Sequence, residues 1–397
     1  MTAPFSFTFT HGPELVSGLD RSRTLATQLD ALGVERPMLV TDETLVEVGV
    51  LEPAIESLEG AGRPYALFDE VEPNPRSVTV ERGAERAVDE GVDGIVAVGG
   101  GSSIDAGKAI AVLAPNGGEW ADYGGTPDVD RSSLPTVCVP TTVGTGSEVT
   151  PGTVITDAER DVKVTTRSPE LFADVALLDP ALCESLPPRV TAATGMDSLT
   201  QAIEAYLNPE ANPITDALAL EAVRLLGRSL RPAVAGTDLE ALAELQVATA
   251  MEGIAFHNAG LGLVHGLSEP VSGAFHTGHG ITNAVLLPVV LEFNLIACPD
   301  RYARLAEAMG VRTEGLSTRE AAGAFVDAVR ELADDVDIPA GLEELGVDRD
   351  ALPELADEAV DHGNSLENPR VASRAQLLEL YERAFVDESR QSTKNAL

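Results

Sequence analysis

GIVAVGGGSSIDAGKAIAVL, Gly94 to Leu113, is the stretch that decides the fold of this chain. Gly94-Ile-Val-Ala-Val98 is a short apolar run of β-branched character, as expected of a strand buried on both faces. Three glycines follow at 99–101, and from Gly101-Ser102 the pattern turns helical through Leu113. A strand that hands over to a helix through glycines puts free backbone N–H groups and a helix N-terminus at one place, where a phosphate can sit. The segment matches neither familiar phosphate pattern: GxGxxG fails at Ile104, and the Walker spacing fails because Ala109 follows Lys108. Taken alone, it reads equally well as a tight βα turn without a ligand.

A second polar turn changes that balance. Pro140-Thr-Thr-Val-Gly-Thr-Gly-Ser-Glu-Val-Thr150 also follows an apolar strand, Thr136–Val139, and sets hydroxyls beside glycines. Two such turns at neighbouring strand ends suit a dinucleotide. The candidate cofactor residues are Gly100, Gly101, Ser102, Thr141, Thr142, Thr145 and Ser147. Asp42 ends a further strand, Pro37–Thr41. A carboxylate there can accept from ribose hydroxyls and repel a 2′-phosphate, which favours NAD over NADP; it can equally cap the helix that follows. Lys163 is read as a ribose or phosphate contact, and Lys108 as a surface charge on the helix after the first turn.

Around these turns the first half alternates strands and helices, the pattern of a parallel α/β sheet. The spacing predicts a strand over 5–9, a helix over 14–32, strands at 37–41, 65–68, 94–98, 136–139 and 173–178, and helices near 50–60 and 77–90. A hairpin is expected over 153–167. After Pro187-Pro188 the pattern is helical to about residue 386. The expected domains are therefore 1–185, a Rossmann-like α/β unit, and 186–397, all helical. The polar end, Asp387 to Leu397, is expected to fray.

Composition narrows the function. The net charge is −37, and only three of the 27 bases are lysine. So acidic a surface around a normal apolar core points to a salt-adapted cytoplasm, where salt screens the self-repulsion. It argues against nucleic acid as a partner. No apolar run is long enough to span a bilayer, and no signal peptide is expected. Cys138, Cys183 and Cys298 are widely spaced among apolar residues and read as buried thiols.

In the helical half, three of the six histidines fall within Gly260–Gly280: His265, His276 and His279. Upstream, Asp197 and Gln201 are four apart on a predicted helix and share one face, as do His265 and Glu269. Asp197, His265 and His279 would offer one carboxylate and two imidazoles, a set that Fe²⁺ or Zn²⁺ accepts. Any one of these histidines alone reads as a satisfied core or surface residue.

Four ordered segments carry a more specific signal: Gly99-Gly-Gly-Ser-Ser-Ile-Asp-Ala-Gly-Lys-Ala109, Pro140–Thr150, Thr194-Gly-Met-Asp-Ser-Leu-Thr-Gln-Ala-Ile-Glu204, and Gly260-Leu-Gly-Leu-Val-His-Gly266 with Gly278-His-Gly280. In these the chain resembles the iron-containing (group III) alcohol dehydrogenases over nearly its whole length. The resemblance implies a dehydroquinate synthase-like fold, NAD(P) and a metal in the cleft between the domains, and a homodimer. It adds Asn74, in Glu72-Pro-Asn-Pro75, as a position near the cofactor. It also implies a metal set of Asp197, Gln201, His265 and His279, with Glu269 or His276 moving the hydroxyl proton.

Two positions depart from the family pattern. Gln201 and Glu269 stand where histidines are usual, and an amide oxygen is a poorer donor to Fe²⁺ or Zn²⁺ than imidazole. The leading expectation is a reversible NAD-dependent alcohol/aldehyde oxidoreductase. The rivals are a metal-independent reductase of the maleylacetate reductase type and a lyase of the dehydroquinate synthase type. A non-catalytic NAD-binding relative with a decayed metal site is the third.

Overall fold

The computed structural model describes residues 6–127, 129–236 and 238–385. Among these residues eight strands are formed: β1 (Glu14–Ser17), β2 (Pro37–Val40), β3 (Ala66–Phe68), β4 (Gly94–Gly99), β5 (Thr136–Pro140), β6 (Gly152–Asp157), β7 (Val162–Arg167) and β8 (Val175–Leu178). Six make one parallel sheet in the order β1-β8-β5-β4-β2-β3, and β6 and β7 form the expected hairpin.

Apart from Thr136 the interior strands are apolar, because both faces of the sheet are covered. Their residues alternate between two cores. Met38, Val40 and Ile95 pack with Val80, Ala84 and Ile110, from helices α4 (Ser77–Asp89) and α5 (Gly101–Asn116). Leu39, Val96, Val98 and Val137 pack on the opposite side with Leu29 and Leu58, from α1 (Leu25–Leu32) and α3 (Glu52–Gly60). The short helix α2 (Glu43–Glu47) follows β2. The strand order reverses at β2 and β4: β3 lies to one side, while β5, β8 and β1 lie to the other. A doubly wound sheet offers its ligand crevice at such a reversal, outside the carboxyl ends of the strands.

Two early expectations fail. Residues 6–9 form no strand, and Phe5 lies outside the described residues. The helix expected over 14–32 begins only at Leu25, after a 3₁₀ turn at Arg21–Thr24. Glu14–Ser17 instead pairs in parallel with Val175–Leu178. Gly18 (φ 143°) and Asp20 (φ 59°) break the chain between strand and helix. The apolar spacing there fits a helix, but hydrogen bonds along the sheet edge decide the outcome.

The second half holds α6 (Pro188–Leu207), α7 (Pro213–Ala235), α8 (Leu239–Ala259), α9 (Leu263–Phe275), α10 (His279–Asn294), α11 (Pro299–Ala308), α12 (Thr318–Asp335), α13 (Leu352–Val360), α14 (Gly363–Leu366) and α15 (Arg374–Phe385). Helix α6 packs against α7, α8 and α10 and is buried on nearly every side from Thr191 onward. A helix buried all round brings its polar residues into the interior with it, so Asp197, Gln201 and Glu204 must find partners there.

The described chain separates into two compact units, His11–Ser185 and a helical unit of residues 186–385 that also takes in residues 6–10. Thr10 fixes the latter segment: its N–H donates to Asn258 Oδ1 on α8, and Asn258 Nδ2 donates back to its carbonyl. The tail from Asp387 lies outside the described residues.

Candidate metal centre and nucleotide turns

Helix α5 starts at Gly101 behind a glycine N-cap, with no side chain bonded to its first amides. The two polar turns lie against each other: a Cβ on Gly101 would come 2.9 Å from Thr145 Cγ2, and one on Gly100 3.2 Å from Thr142 Cγ2. Uncapped N–H groups on a glycine surface, beside Thr142 and Thr145, fit a pyrophosphate. Asn74 sits in left-handed conformation (φ 56°), with its N–H on Ser102 Oγ (3.3 Å) and its carbonyl accepting from Thr156 (3.4 Å). Lys163 is exposed on β7, directly opposite Thr156 in the hairpin. Asp42 follows β2 at the strand-order reversal, and its Oδ1 accepts from Leu45 N–H as the cap of α2.

Three residues of this unit are struts. Thr141 is buried, with its N–H on the Gly99 carbonyl. Ser147 is buried and its hydroxyl donates to Asp105. Lys108 is no surface charge: it is 1% exposed, and its Nζ donates to the carbonyls of Ser147 (2.7 Å), Thr150 (3.2 Å) and Gly152 (2.5 Å). Asp105 lies 3.6 Å from the same ammonium. This lysine ties the second turn to α5, and its carbonyl partners repay the cost of burying the charge. Beside it, burial pushes the Glu148 carboxyl up to about 7, against the opposing pull of its own backbone hydrogen bond and of Lys108.

In the helical unit, Asp197, His265 and His279 converge from α6, α9 and the first residue of α10. One donor atom of each lies within 4.8 Å of the others, the only such three-residue group among the described residues. Close backbone approach makes this possible. A Cβ on Gly280, next to His279, would press into Ala193 O at 2.7 Å and Asp197 Cβ at 3.1 Å. Gln201 is buried one turn beyond Asp197 on α6.

Two further residues complete the group, and neither is among the sequence candidates. Glu204, seven residues after Asp197 on α6, places Oε2 2.5 Å from His265 Nδ1 and accepts Val264 N–H on Oε1 at 2.6 Å. Nδ1 therefore carries the hydrogen, and the Nε2 lone pair faces the group. Burial disfavours the imidazolium of His265 and Glu204 attracts it, leaving the pKa raised. Asn283, four residues after His279, is fully buried. Its Nδ2 donates to Asp197 Oδ1 at 2.7 Å and lies 3.2 and 3.1 Å from the Nε2 atoms of His265 and His279. A carboxylate oxygen and two imidazole nitrogens, one with its tautomer fixed by a carboxylate behind it, form a donor set that fits a divalent iron or zinc ion.

Glu269 lies one turn beyond His265 on α9, bonded to His362 and Asn364. His276 is exposed and closes α9 in left-handed conformation (φ 54°), so its visible role is a helix C-cap. His257 lies in the last turn of α8, outside the three-donor group.

The profile of the iron-containing alcohol dehydrogenases matches residues 13–180, and that of the Fe-containing alcohol dehydrogenase family, C-terminal, matches residues 191–385. The chain is 42% identical over 357 residues to the 1,3-propanediol dehydrogenase of Citrobacter freundii, covering 89% of this chain and 92% of that one. The chain belongs to the iron-containing alcohol dehydrogenase family. It is 39% identical to the NAD-dependent methanol dehydrogenase of Bacillus methanolicus, over 94% of this chain and 98% of that one. A solved 1,3-propanediol oxidoreductase superposes with a TM-score of 0.93 at 39% identity, covering 96% of this chain and all of that one. This iron-containing alcohol dehydrogenase relative is an oxidoreductase that interconverts an alcohol with an aldehyde or ketone using a nicotinamide cofactor.

Proposed function

We propose that the chain is an NAD-dependent dehydrogenase of short alcohols, working with a divalent metal, Fe²⁺ or Zn²⁺, held by Asp197, His265 and His279. The observation that carries this reading is the convergence of those donors with Glu204 behind His265. When bound, the metal would supply Lewis acidity toward the substrate oxygen, and the nicotinamide would supply the hydride acceptor or donor. Glu204 keeps the His265 lone pair turned inward, and Asn283, whose Nδ2 donates to Asp197 Oδ1 at 2.7 Å and lies against both Nε2 atoms, would have to release those two lone pairs for the ion to bind. Gln201 supplies a neutral amide in place of a fourth strong donor, so metal is held less tightly than by a fuller imidazole set.

Of the two expected proton carriers, Glu269 is the one beside the metal donors. Burial raises its pKa, but the bond to His362 and the charges of His362, His265 and His279 leave it lowered. A carboxyl ionised well below neutral pH is a weak base and a firm hydrogen-bond acceptor. Glu269 is thus assigned to hold substrate rather than to store its proton, and His276 to cap α9.

In the α/β unit Gly100, Gly101 and Ser102 would hold the dinucleotide, with Thr142 and Thr145 as partners for the pyrophosphate and Asn74 and Lys163 for a ribose or phosphate. Thr141 and Ser147 support the second turn from behind. Asp42 at the end of β2 selects NAD by repelling a 2′-phosphate. The net charge of −37 supports a salt-adapted cytoplasm as the working environment, and the functional form is proposed to be a homodimer. Among the described residues, no helix is long and apolar enough to cross a membrane.

The test is NAD-linked and NADP-linked oxidation of short alcohols and diols in multimolar KCl, after loading with Fe²⁺ or Zn²⁺. Turnover with NAD, stronger than with NADP, is expected. Binding of NAD with no turnover of any alcohol would overturn the reading in favour of a non-catalytic relative.

A further inference from the structure

Glu269 leaves the same face of α9 as His265, one turn on, yet its surroundings differ. His265 is 2% exposed, whereas the Glu269 side chain is 46% exposed. An exposed glutamate would ordinarily be free to sweep through several rotamers. This one is held at both oxygens: His362 Nε2 lies 2.9 Å from Oε2, and Asn364 Nδ2 donates to Oε1 at 3.3 Å. Both partners come from the start of α14, His362 as its N-cap and Asn364 in its first turn, far along the chain. That segment can lie on α9 only because Gly266, next to His265, has no side chain; a Cβ there would overlap Ser365 Oγ and come 2.9 Å from Ser365 N. The chain has therefore been built to fix an open carboxylate one helical turn from a metal donor.

Each carboxylate oxygen can accept more than one hydrogen bond, so spare acceptor capacity remains after His362 and Asn364. A hydroxyl is the group that fits such an acceptor beside a centre that handles alcohols. A bare alkyl chain placed there would strip water from the carboxylate and return nothing.

Building on the alcohol dehydrogenase reading above, we propose that Glu269 is a specificity-determining residue that accepts a hydrogen bond from a second hydroxyl of the substrate. His362 and Asn364 act as positioning residues for it. The site then discriminates small diols from mono-alcohols of equal length.

The test compares kcat/KM for 1,3-propanediol and 1-propanol, with NAD and metal-loaded protein, in wild type and variants. The ratio of the two values cancels any general loss of activity in a variant. Glu269→Leu is expected to lower the diol-to-mono-alcohol ratio by about ten- to a hundredfold, the loss of a hydrogen bond to a charged group. Glu269→Gln, of the same size, should lower it by about fivefold and carries the test should leucine unfold the unit. His362→Phe should raise KM for the diol more than for 1-propanol while changing kcat little. His362→Gln keeps an N–H donor and should restore much of the loss. A ratio in Glu269→Leu or Glu269→Gln unchanged from wild type overturns the proposal, and so does a wild type that uses both alcohols equally. A wild type that turns over neither alcohol overturns the underlying activity as well, which separates the two failures.

Discussion

Replacing Glu204 by Gln isolates the best-defined part of the proposed metal centre. The carboxylate has two acceptor oxygens and spends one on His265 Nδ1–H and the other on Val264 N–H. An amide of the same shape has only one acceptor oxygen. In Glu204→Gln, one N–H must face another N–H, or His265 must move its proton to Nε2, the atom that faces the metal donors. The first outcome leaves a buried donor unpaired at a cost of about 1–3 kcal/mol. The second blocks a ligand outright. Loss of a carboxylate behind a metal-bound histidine typically costs about ten- to a hundredfold in metal affinity, or about 1.4–2.7 kcal/mol. The assay is competition for Zn²⁺ against a chromophoric chelator, alongside circular dichroism melting of the metal-free protein to confirm the fold. An affinity equal to wild type in a folded Glu204→Gln protein would show that Glu204 does not hold His265 as a ligand.

Three further outcomes follow from other residues. Lys108→Met removes the donor shared by three carbonyls and leaves Asp105 without its cation; the metal-free melting midpoint should drop, with a loss of about 3–5 kcal/mol by urea unfolding, and NAD affinity by fluorescence should weaken. Gln201→His gives α6 a second strong donor beside Asp197 and should raise Zn²⁺ affinity by about tenfold or more in the same competition assay. Glu148 ionises near 7 when folded, against 4.5 as its ordinary value, so between those values the folded protein holds the extra proton and stability falls as pH rises. That fall amounts to about 3 kcal/mol at most, and Glu148→Gln should flatten it in a series of urea unfolding curves from pH 5 to pH 8.

The sheet was legible because its interior strands are apolar on both faces, which leaves a run such as Ile95–Val98 few other readings. β1 was not: at the sheet edge it needs no such run, and Leu15, Val16 and Leu19 mimic a helical stripe. Lys108 misled for a related reason, since a lone lysine after a helix start looks like surface until the carbonyls around it are placed. That Asp197, His265 and His279 come together was legible from their motifs. Glu204 lay within the quoted segment, and its seven-residue offset from Asp197 was the available signal. Asn283 repeats the four-residue spacing after His279. His362 gave no local signal, because only the folding of residues 362–365 onto Gly266 brings it to Glu269.

On the proposed function, Asp197, His265 and His279 hold a metal that NAD-linked alcohol oxidation requires. The most direct measurement is metal content together with 1,3-propanediol oxidation, taken on protein purified without chelator under reducing, high-salt conditions, then after exhaustive chelation, then after adding back Fe²⁺ or Zn²⁺. Stoichiometric metal, loss of turnover with its removal and recovery on reloading are the predicted results. Turnover that persists after every bound metal has been removed would show that the reaction needs no metal at these residues.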